Sequence, residues 1–267
     1  MDLSIIIVNW NTGNLLYNCV KSINENMSDN NYEIIITDND SRDNSCNNIE
    51  AELDNVKIIY SKDNLGFSKG NNLAVKEAKG DYVLFLNPDT IILKDSINKA
   101  LDYIKHKCTN KDLVGVRLLN GDKSLQLSSC KFPKATNVIT SSYVMSNELH
   151  YKNHNTDWVM GAFMLMRRDF FYDIGGFDES FFMYSEDIEL CFRVKKNGGE
   201  VRYLSNAEIV HLYNQSGKSK WNKKRDKVVT DSTIKFIKEN YNWYDRITTV
   251  CILKTRSFIK SIMNLLS

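Results

Sequence analysis

The fold is decided by the stretch Leu3-Ser4-Ile5-Ile6-Ile7-Val8-Asn9-Trp10-Asn11, where a β-branched run passes directly into polar residues. An unbroken run of this kind is typical of a parallel strand that is buried on both faces. The pattern returns at Tyr32–Thr37, which leads into Asp38-Asn39-Asp40-Ser41, and at Tyr82–Leu86, which leads into Asn87-Pro88-Asp89. The sequence therefore predicts three buried strands, each ending in a polar cluster.

Helical patterns alternate with these strands, at about residues 15–23, 68–78 and 95–106. Such alternation indicates an α/β fold, Rossmann-like, with a mostly parallel central sheet flanked by helices. The carboxyl ends of parallel strands meet at one edge, where such sheets bind ligands, so we expect the polar clusters to form one rim. The alternative is that Asx residues end these strands only because they are good turn formers.

Composition excludes several classes of protein. The 267 residues are 42% hydrophobic and 25% charged with a net charge of +2, which argues against general disorder, a polytopic membrane protein and a nucleic-acid partner. The six cysteines form no C-x-x-C pair, and Met1-Asp2 runs straight into the first strand. We therefore expect reduced thiols, no signal peptide and a cytoplasmic location.

The end of the chain differs from the rest in charge, because residues 218–267 carry twelve basic and four acidic side chains. Apolar residues recur there at nearly helical spacing: Ile247, Val250, Cys251, Phe258, Ile262 and Leu266. We expect a helical extension over 218–267 that follows a body over 1–217. Its apolar stripe either packs on the core or lies on an anionic membrane surface, and the sequence leaves both open.

Asp89 is the first candidate for chemistry, since a carboxylate held at a strand end by Pro88 suits a hard divalent cation. Asn87 would add an amide oxygen. His211 ends a later strand and is a second candidate ligand, because neutral imidazole binds metals. Both features have ordinary alternatives: Asn-Pro-Asp is a common turn, and a lone histidine is often structural.

The stretch Asn64-Leu65-Gly66-Phe67-Ser68-Lys69-Gly70-Asn71-Asn72 opens the second helix. Gly66 has no side chain, so a ligand can approach the backbone closely there. The free amides at the start of a helix favour binding of an anion or of sugar hydroxyls. The stretch is neither a Walker loop nor a G-x-G-x-x-G sequence, which argues against ATPase and dinucleotide-binding functions. A glycine-rich helix start without a ligand is the structural alternative.

Glu186-Asp187 is the third candidate. The pair follows Phe181-Phe182-Met183-Tyr184, and an apolar surrounding of this kind raises the pKa of a carboxyl group. One of the two would then be able to take a proton from a hydroxyl. The alternative is that both carboxylates only complement the dipole of the helix that begins there.

Taken in order, these motifs resemble those of the family 2 inverting glycosyltransferases of the GT-A fold, in particular the bacterial rhamnosyltransferase-like branch. The resemblance covers residues 1–215. The motifs that carry it are Val8-Asn9-Trp10-Asn11, Asp38-Asn39-Asp40-Ser41, Asn64-Leu65-Gly66-Phe67 with Gly70-Asn71-Asn72, Asn87-Pro88-Asp89, Trp158-Val159-Met160-Gly161-Ala162, Arg167-Arg168, Gly175-Gly176-Phe177-Asp178-Glu179, Phe182-Met183-Tyr184-Ser185-Glu186-Asp187-Ile188-Glu189-Leu190-Cys191 and His211.

The resemblance implies a role for each motif. It implies a nucleotide-sugar half over residues 1–115 and an acceptor half over 116–217. Asp187 would be the catalytic base with Glu186 beside it, and Asp89 with His211 would hold Mg²⁺ or Mn²⁺. The donor nucleotide would contact Asn9, Asn11, Asp38, Asn39, Ser41, Asn64, Gly66, Phe67, Asn71 and Asn87. The acceptor would contact Trp158, Gly161, Ala162 and Tyr184.

The implied activity is transfer of rhamnose or another hexose, from deoxythymidine-diphosphate rhamnose or a UDP-sugar, to a glycan or lipid-linked glycan at the inner face of the cell membrane. Asn87 stands where the family's D-x-D element has its first aspartate, which leaves the identity of the metal open. A non-catalytic nucleotide-sugar-binding or scaffold module of the same fold is the alternative function. A nucleotidyltransferase is less consistent with the sequence, because residues 9–16 contain no Lys or Arg. A homo-oligomer remains open.

Overall fold

The computed structural model describes residues 1–27, 31–47, 49, 55–140, 142–212 and 222–266. Within them the strands are β1 (Leu3–Asn9), β2 (Tyr32–Asp38), β3 (Val56–Tyr60), β4 (Tyr82–Leu86), β5 (Thr90–Ile92), β6 (Leu113–Leu119), β7 (Leu125–Gln126), β8 (Ser129–Cys130), β9 (His154–Thr156), β10 (Trp158–Val159), β11 (Phe163–Arg167) and β12 (Val201–His211). The α-helices are α1 (Asn14–Asn26), α2 (Gly66–Val75), α3 (Ser96–Lys107), α4 (Ala135–Thr140), α5 (Arg168–Asp173), α6 (Glu186–Lys196), α7 (Asn222–Asn240) and α8 (Trp243–Leu266), and a 3₁₀ helix spans Asn147–Tyr151.

The main sheet has the order β3-β2-β1-β4-β11-β6-β12-β5, with β7 beside β6 and β9 beside β12. Strands β3, β2, β1 and β4 are parallel, and so are β6 and β12. Strand β11 lies between these two groups and is antiparallel to both neighbours. The predicted α/β fold with a largely parallel central sheet between helices is confirmed.

The register of the strands brings the polar clusters to one edge. Asn9 at the end of β1 pairs with Asp38 at the end of β2, and Ile7 pairs with Leu86 at the end of β4. Because β11 is antiparallel, its first residue, Phe163, lies opposite Leu86. The loop that precedes β11 therefore enters the edge that the other strands leave, and this edge is the predicted rim.

Two apolar layers cover the two faces of the sheet, as the alternation of side chains along a strand requires. On β1, Ile5 and Ile7 pack against α1 and α3, whereas Ile6 faces the opposite layer. That second layer includes Leu190 of α6 and Phe236 of α7. Every one of these side chains is fully buried.

The C-terminal helices are partly buried and partly exposed. Phe236 and Ile237 of α7 are fully buried in the core, whereas Trp243, Tyr244 and Ile247 at the start of α8 are largely exposed. None of the helices among the described residues is long and apolar enough to cross a membrane. The predicted boundary between 217 and 218 lies outside the described residues.

Residues 128–156 form more structure than the sequence indicates, since their polar, weakly patterned sequence suggests a long surface excursion. Strand β8 pairs with β10, α4 and the 3₁₀ helix follow, and β9 joins the main sheet. The buried His150 accepts hydrogen bonds from the backbone amides of Ser128 and Ser129, both at 3.1 Å. Polar and backbone hydrogen bonds of this kind produce no hydrophobic periodicity in the sequence. These elements could therefore not be predicted from it.

Candidate active site

Asp38 is held at the rim by a network that centres on Asn9. Asn9 is fully buried, and its Nδ2 donates to Asp38 Oδ1 at 2.6 Å and to Ser45 Oγ at 2.7 Å. The Thr12 hydroxyl donates to Asn9 Oδ1. The second oxygen of Asp38, Oδ2, accepts from the Ser41 amide at 3.0 Å. Asn9 therefore contributes to the rim by positioning Asp38.

Asn11 and Ser41 join the loops that follow β1 and β2. The Asn11 amide donates to Ser41 Oγ at 2.9 Å, and Asn11 Oδ1 accepts from the Arg42 amide at 2.7 Å. Asn11 has φ 52°, in the left-handed region that Asn adopts more readily than most residues. Asn11 and Ser41 therefore lie together at the rim, and the buried Asp38 accepts a hydrogen bond from the Ser41 amide.

Gly66 and Phe67 join the rim to the second half of the chain. The Phe67 amide donates to the Phe182 carbonyl oxygen at 2.8 Å, and Asn39 Nδ2 donates to the Gly66 carbonyl oxygen at 3.0 Å. Asn64 Oδ1 accepts from the Gly66 amide at 2.9 Å. Gly66 has φ +75°, and a Cβ there would overlap with the Phe182 carbonyl oxygen, so only glycine fits.

Asn71 and Asn72 both make internal hydrogen bonds. The buried Asn71 donates from Nδ2 to the Phe67 carbonyl oxygen at 2.9 Å. Asn72 makes a reciprocal pair with the Phe177 backbone, with bonds of 2.8 and 2.9 Å. The Asn72 bonds hold α2 to the glycine-rich loop before α6.

Asp89 and His211 are brought together by the pairing of β5 with β12. Asp89 Oδ1 lies 3.4 Å from His211 Nε2, and both side chains are buried. Asn87 Nδ2 lies 3.4 Å from the same nitrogen. The Asn-Pro-Asp turn is fixed by the Thr90 hydroxyl, which donates to the Asn87 carbonyl oxygen at 2.8 Å, and by the Leu212 amide, which donates to the Asp89 carbonyl oxygen at 2.8 Å.

The chemistry of this pair fits a divalent cation. A carboxylate oxygen and an imidazole nitrogen, 3.4 Å apart, are both ligand types that Mn²⁺ accepts, and one carboxylate with substrate phosphates is a common Mg²⁺ arrangement. Across the described ranges there is no group of three or more His, Cys, Asp and Glu that would hold a metal unaided. The described residues therefore bring together two candidate ligands, one carboxylate and one imidazole.

Two backbone hydrogen bonds connect this turn to Asp187. The Asn87 amide donates to the Ala162 carbonyl oxygen at 3.2 Å, and the neighbouring Gly161 amide donates to Asp187 Oδ2 at 3.0 Å. A Cβ on Gly161 would lie 3.5 Å from the Asp187 Cβ and 3.8 Å from the Phe67 ring. Asp187 is thus linked to the Asn-Pro-Asp turn through the neighbouring residues Gly161 and Ala162.

The two adjacent carboxyl groups at the start of α6 have shifted pKa values. Removal from water raises the pKa of Asp187 to about 6, although backbone hydrogen bonds from Gly161 and Ile188 lower it. Burial and the neighbouring Asp187 charge raise the pKa of Glu186 well above its usual range. Both effects favour the neutral form of Glu186, whereas the two backbone hydrogen bonds favour the ionised form of Asp187.

The remaining predicted acceptor residues lie beside this pair in the chain or the fold. Trp158 Nε1 donates to the Lys131 carbonyl oxygen at 3.0 Å, which fixes the indole on β10. Tyr184 and Ser185 have φ values of 69° and 68°, so the chain turns sharply before α6. The Arg225 guanidinium lies 5.7 Å from the centre of the Tyr184 ring.

Three contributors were missed in the sequence. Gln126 Oε1 lies 2.7 Å from His211 Nδ1, Phe182 meets Gly66, and α7 contacts the loop over residues 180–185. The Asn120-Gly121-Asp122 sequence is a turn signal that predicts a hairpin, and the return strand of that hairpin contains Gln126. The other two contacts join distant parts of the chain and have no local signal.

Comparison with known proteins agrees with this architecture. Glycosyl transferase family 2 matches residues 4–175, and the N-terminal domain of galactosyltransferase matches residues 140–215. Rhamnosyltransferase WbbL of Escherichia coli is 32% identical over 226 residues, which are 76% of this chain and 82% of that protein. The N-acetylglucosaminyl-diphospho-decaprenol L-rhamnosyltransferase of Mycobacterium tuberculosis is 27% identical over 203 residues, 67% of this chain and 66% of the relative.

Among solved structures, the mannosyltransferase PcManGT of Pyrobaculum calidifontis, in complex with GDP-Man and Mn²⁺, superposes with a TM-score of 0.66 at 15% identity. The match covers 96% of this chain and 69% of that one, and it shows the shared GT-A fold. The fold places the chain in the GT-A class. The chain belongs to glycosyl transferase family 2, is rhamnosyltransferase-like, and is a hexosyltransferase.

Proposed function

We propose that this glycosyltransferase inverts the anomeric centre as it moves rhamnose or another hexose from a nucleoside diphosphate to a hydroxyl of a glycan. The observation that carries the proposal is the 3.0 Å bond from the Gly161 amide to Asp187. Together with the bond from Asn87 to Ala162, it brings a carboxyl group of raised pKa next to the Asn-Pro-Asp turn. A base that faces a diphosphate site is what a single displacement requires.

The donor would bind along the rim, with its nucleoside on the surface made by Asn11, Asp38 and Ser41. Its diphosphate would lie beside Asp89 and His211, whose ligand atoms are 3.4 Å apart. Deoxythymidine-diphosphate rhamnose is the first candidate because the two relatives above are named as rhamnosyltransferases. A UDP-sugar is the second.

In the reaction, Asp187 accepts the proton of the acceptor hydroxyl while that oxygen attacks the anomeric carbon. The bond from this carbon to the diphosphate oxygen breaks on the opposite face, and its electron pair leaves with the diphosphate. A base in this position contributes roughly 10²–10⁴-fold to the rate. Asp89 and His211 would hold a divalent cation, which would supply positive charge that stabilises the leaving diphosphate.

The acceptor would lie against Trp158 and Tyr184, on the side of Gly161 and Ala162 that faces Asp187. The name of the mycobacterial relative gives a lipid-linked acceptor for that protein. A lipid-linked glycan at the inner face of the membrane, used in bacterial surface polysaccharide synthesis, is therefore our proposal for this chain as well.

Asp187→Asn tests the proposal. The amide keeps the shape of the side chain and one acceptor for the Gly161 amide but takes up no proton. We expect release of nucleoside diphosphate from the accepted donor in a panel of nucleotide sugars to fall by about 10²–10⁴-fold, with donor affinity within about twofold. Asp173→Asn, an exposed carboxyl at the end of α5, is the matched control and should keep wild-type rates.

Near-wild-type turnover by Asp187→Asn would remove Asp187 as the base. A wild-type protein that binds a nucleotide sugar in calorimetry, yet releases no nucleoside diphosphate with any acceptor, would instead support the alternative of a binding or scaffold module.

A further inference from the structure

Gln126 stands behind His211, on the side away from Asp89. It is the last residue of β7, which pairs with β6 through a turn at residues 120–124. The Asn120 amide donates to the Ser124 carbonyl oxygen at 2.8 Å, and Asn120 Nδ2 donates to Ser124 Oγ at 2.9 Å. This hairpin places the Gln126 side chain, which is buried, against the His211 ring.

The hydrogen bonds of Gln126 fix which way its amide group faces. Its Nε2 donates to Asn120 Oδ1 at 2.9 Å and to the His211 carbonyl oxygen at 3.3 Å. A carbonyl oxygen only accepts, so the nitrogen end of the amide must lie on that side. The oxygen Oε1 therefore faces His211 Nδ1, at 2.7 Å.

This orientation decides where the imidazole carries its hydrogen. An amide oxygen only accepts, so Nδ1 must be the N–H donor and, in the neutral ring, Nε2 carries the lone pair. Nε2 is the atom 3.4 Å from Asp89 Oδ1, and Asn87 Nδ2 can donate to it at 3.4 Å. A lone pair and a carboxylate that face each other are two ligands for a cation.

We propose that Gln126 is a positioning residue, which holds His211 in the Nδ1–H tautomer so that Nε2 faces Asp89 as a metal ligand. The proposal rests on the metal site of the proposed function. Partners of this kind behind a ligating histidine fix its tautomer and orientation, and their loss typically costs 10–100-fold in metal affinity.

Gln126→Met and Gln126→Glu distinguish the effect of Gln126 on the His211 tautomer from its contribution to packing. Methionine has a similar length and no strong acceptor, whereas glutamate keeps an oxygen opposite Nδ1. The tautomer is observed directly by long-range ¹⁵N–¹H correlation spectra of protein labelled at its four histidines, with His211→Asn to assign the His211 signals. Binding of Mn²⁺ alone is measured by the loss of the free-ion electron paramagnetic resonance signal.

We expect the Nδ1–H pattern in the wild type and in Gln126→Glu, and its loss in Gln126→Met, with Mn²⁺ affinity about 10–100-fold weaker in Gln126→Met only. An unchanged tautomer in Gln126→Met would overturn the proposal, as would a wild type with the hydrogen on Nε2. If the wild type shows the Nδ1–H tautomer but binds no Mn²⁺, the metal assignment fails while the hold of Gln126 on His211 stands. Far-UV circular dichroism checks folding, and if Gln126→Met does not fold, the wild-type and Gln126→Glu spectra still decide the tautomer.

Discussion

Asp187 and Glu186 are adjacent in sequence, but their hydrogen bonds differ. Asp187 accepts from two backbone amides, those of Gly161 and Ile188, and such bonds favour the ionised form. Glu186 Oε2 is buried and has no hydrogen-bond partner within the described part of the chain. Of the two, Asp187 is the better candidate to be ionised and to take a proton, because its backbone hydrogen bonds stabilise the charge.

The pH dependence of the reaction follows from this difference. The base must be ionised, and the pKa of Asp187 is raised to about 6. With a stable donor and acceptor, kcat/KM should be level above that pH and fall about tenfold per unit below it. Burial and the Asp187 charge raise the pKa of Glu186 and so favour its neutral form. Glu186→Gln is then a conservative change, and we expect its profile to keep the same inflection and its rate to stay within a few-fold. A collapse of the rate in Glu186→Gln would show that Glu186 carries the essential charge.

Some residues of the site can be predicted from their position at the end of a strand in the sequence, whereas others cannot. Asp38 and Asp89 follow buried strands directly, so a local pattern was enough to find them. The support that Asn9 gives to Asp38, and Gln126 to His211, depends on side chains that meet across strands. Such contacts follow from register, which single-strand patterns do not determine.

At the scale of elements, the link between α2 and the loop before α6 depends on Gly66. Gly66 and Gly175 both have positive φ values, +75° and +87°, but a Cβ at Gly66 would overlap with Phe182 whereas one at Gly175 would meet nothing within 4 Å. Alanine substitutions at these two glycines therefore distinguish the cost of backbone strain, which both share, from loss of the contact with Phe182, which only Gly66 makes.

We expect Gly175→Ala to lower the free energy of unfolding by about 1–2 kcal/mol, the usual cost of a left-handed non-glycine residue. Gly66→Ala should cost more and should also weaken binding of the nucleotide-sugar donor, because Phe67 would be displaced. Urea denaturation and calorimetry measure the two effects. Equal losses of stability in both variants, with unchanged donor affinity, would contradict the proposed role of the Gly66–Phe182 contact.

Elements with a simple hydrophobic pattern were predicted from the sequence better than elements without one. Strands β1, β2 and β4 were recognisable as continuous apolar runs with polar ends. The direction of β11 was not, because an apolar run has the same appearance in a parallel and an antiparallel strand. That direction matters, since it brings Gly161 and Ala162 to the rim.

On the scale of the whole molecule, α7 is part of the catalytic body. Lys235 Nζ donates to the Ser180 carbonyl oxygen at 2.7 Å, and Ser232 Oγ donates to the Met183 carbonyl oxygen at 3.2 Å. Phe236 anchors the helix in the core. A shortened chain that ends near residue 217 would lose these contacts, so membrane binding is better tested with single substitutions in α8.

The start of α8 is the surface we propose for the membrane. Trp243, Tyr244 and Ile247 are 69%, 61% and 54% exposed, and Lys238 and Arg246 line a shallow apolar cleft beside Ile247. Aromatic and basic side chains together favour an anionic bilayer surface.

We expect the full chain to sediment with vesicles that contain phosphatidylglycerol, less with phosphatidylcholine alone, and less at high salt. Trp243→Ser with Ile247→Ser should weaken binding by about tenfold or more, since two large apolar side chains no longer enter the bilayer. Tyr151→Ser, an aromatic of similar exposure on the 3₁₀ helix, is the control. Undiminished sedimentation of the double variant would exclude this surface.

The hydrogen bonds between α7 and residues 180–185 also limit which segments can be exchanged between this chain and its relatives. A chimera that imports foreign C-terminal helices would inherit a loop before α6 shaped for different partners. Residues 180–185 and α7, which are some fifty residues apart in the sequence, are therefore best exchanged together.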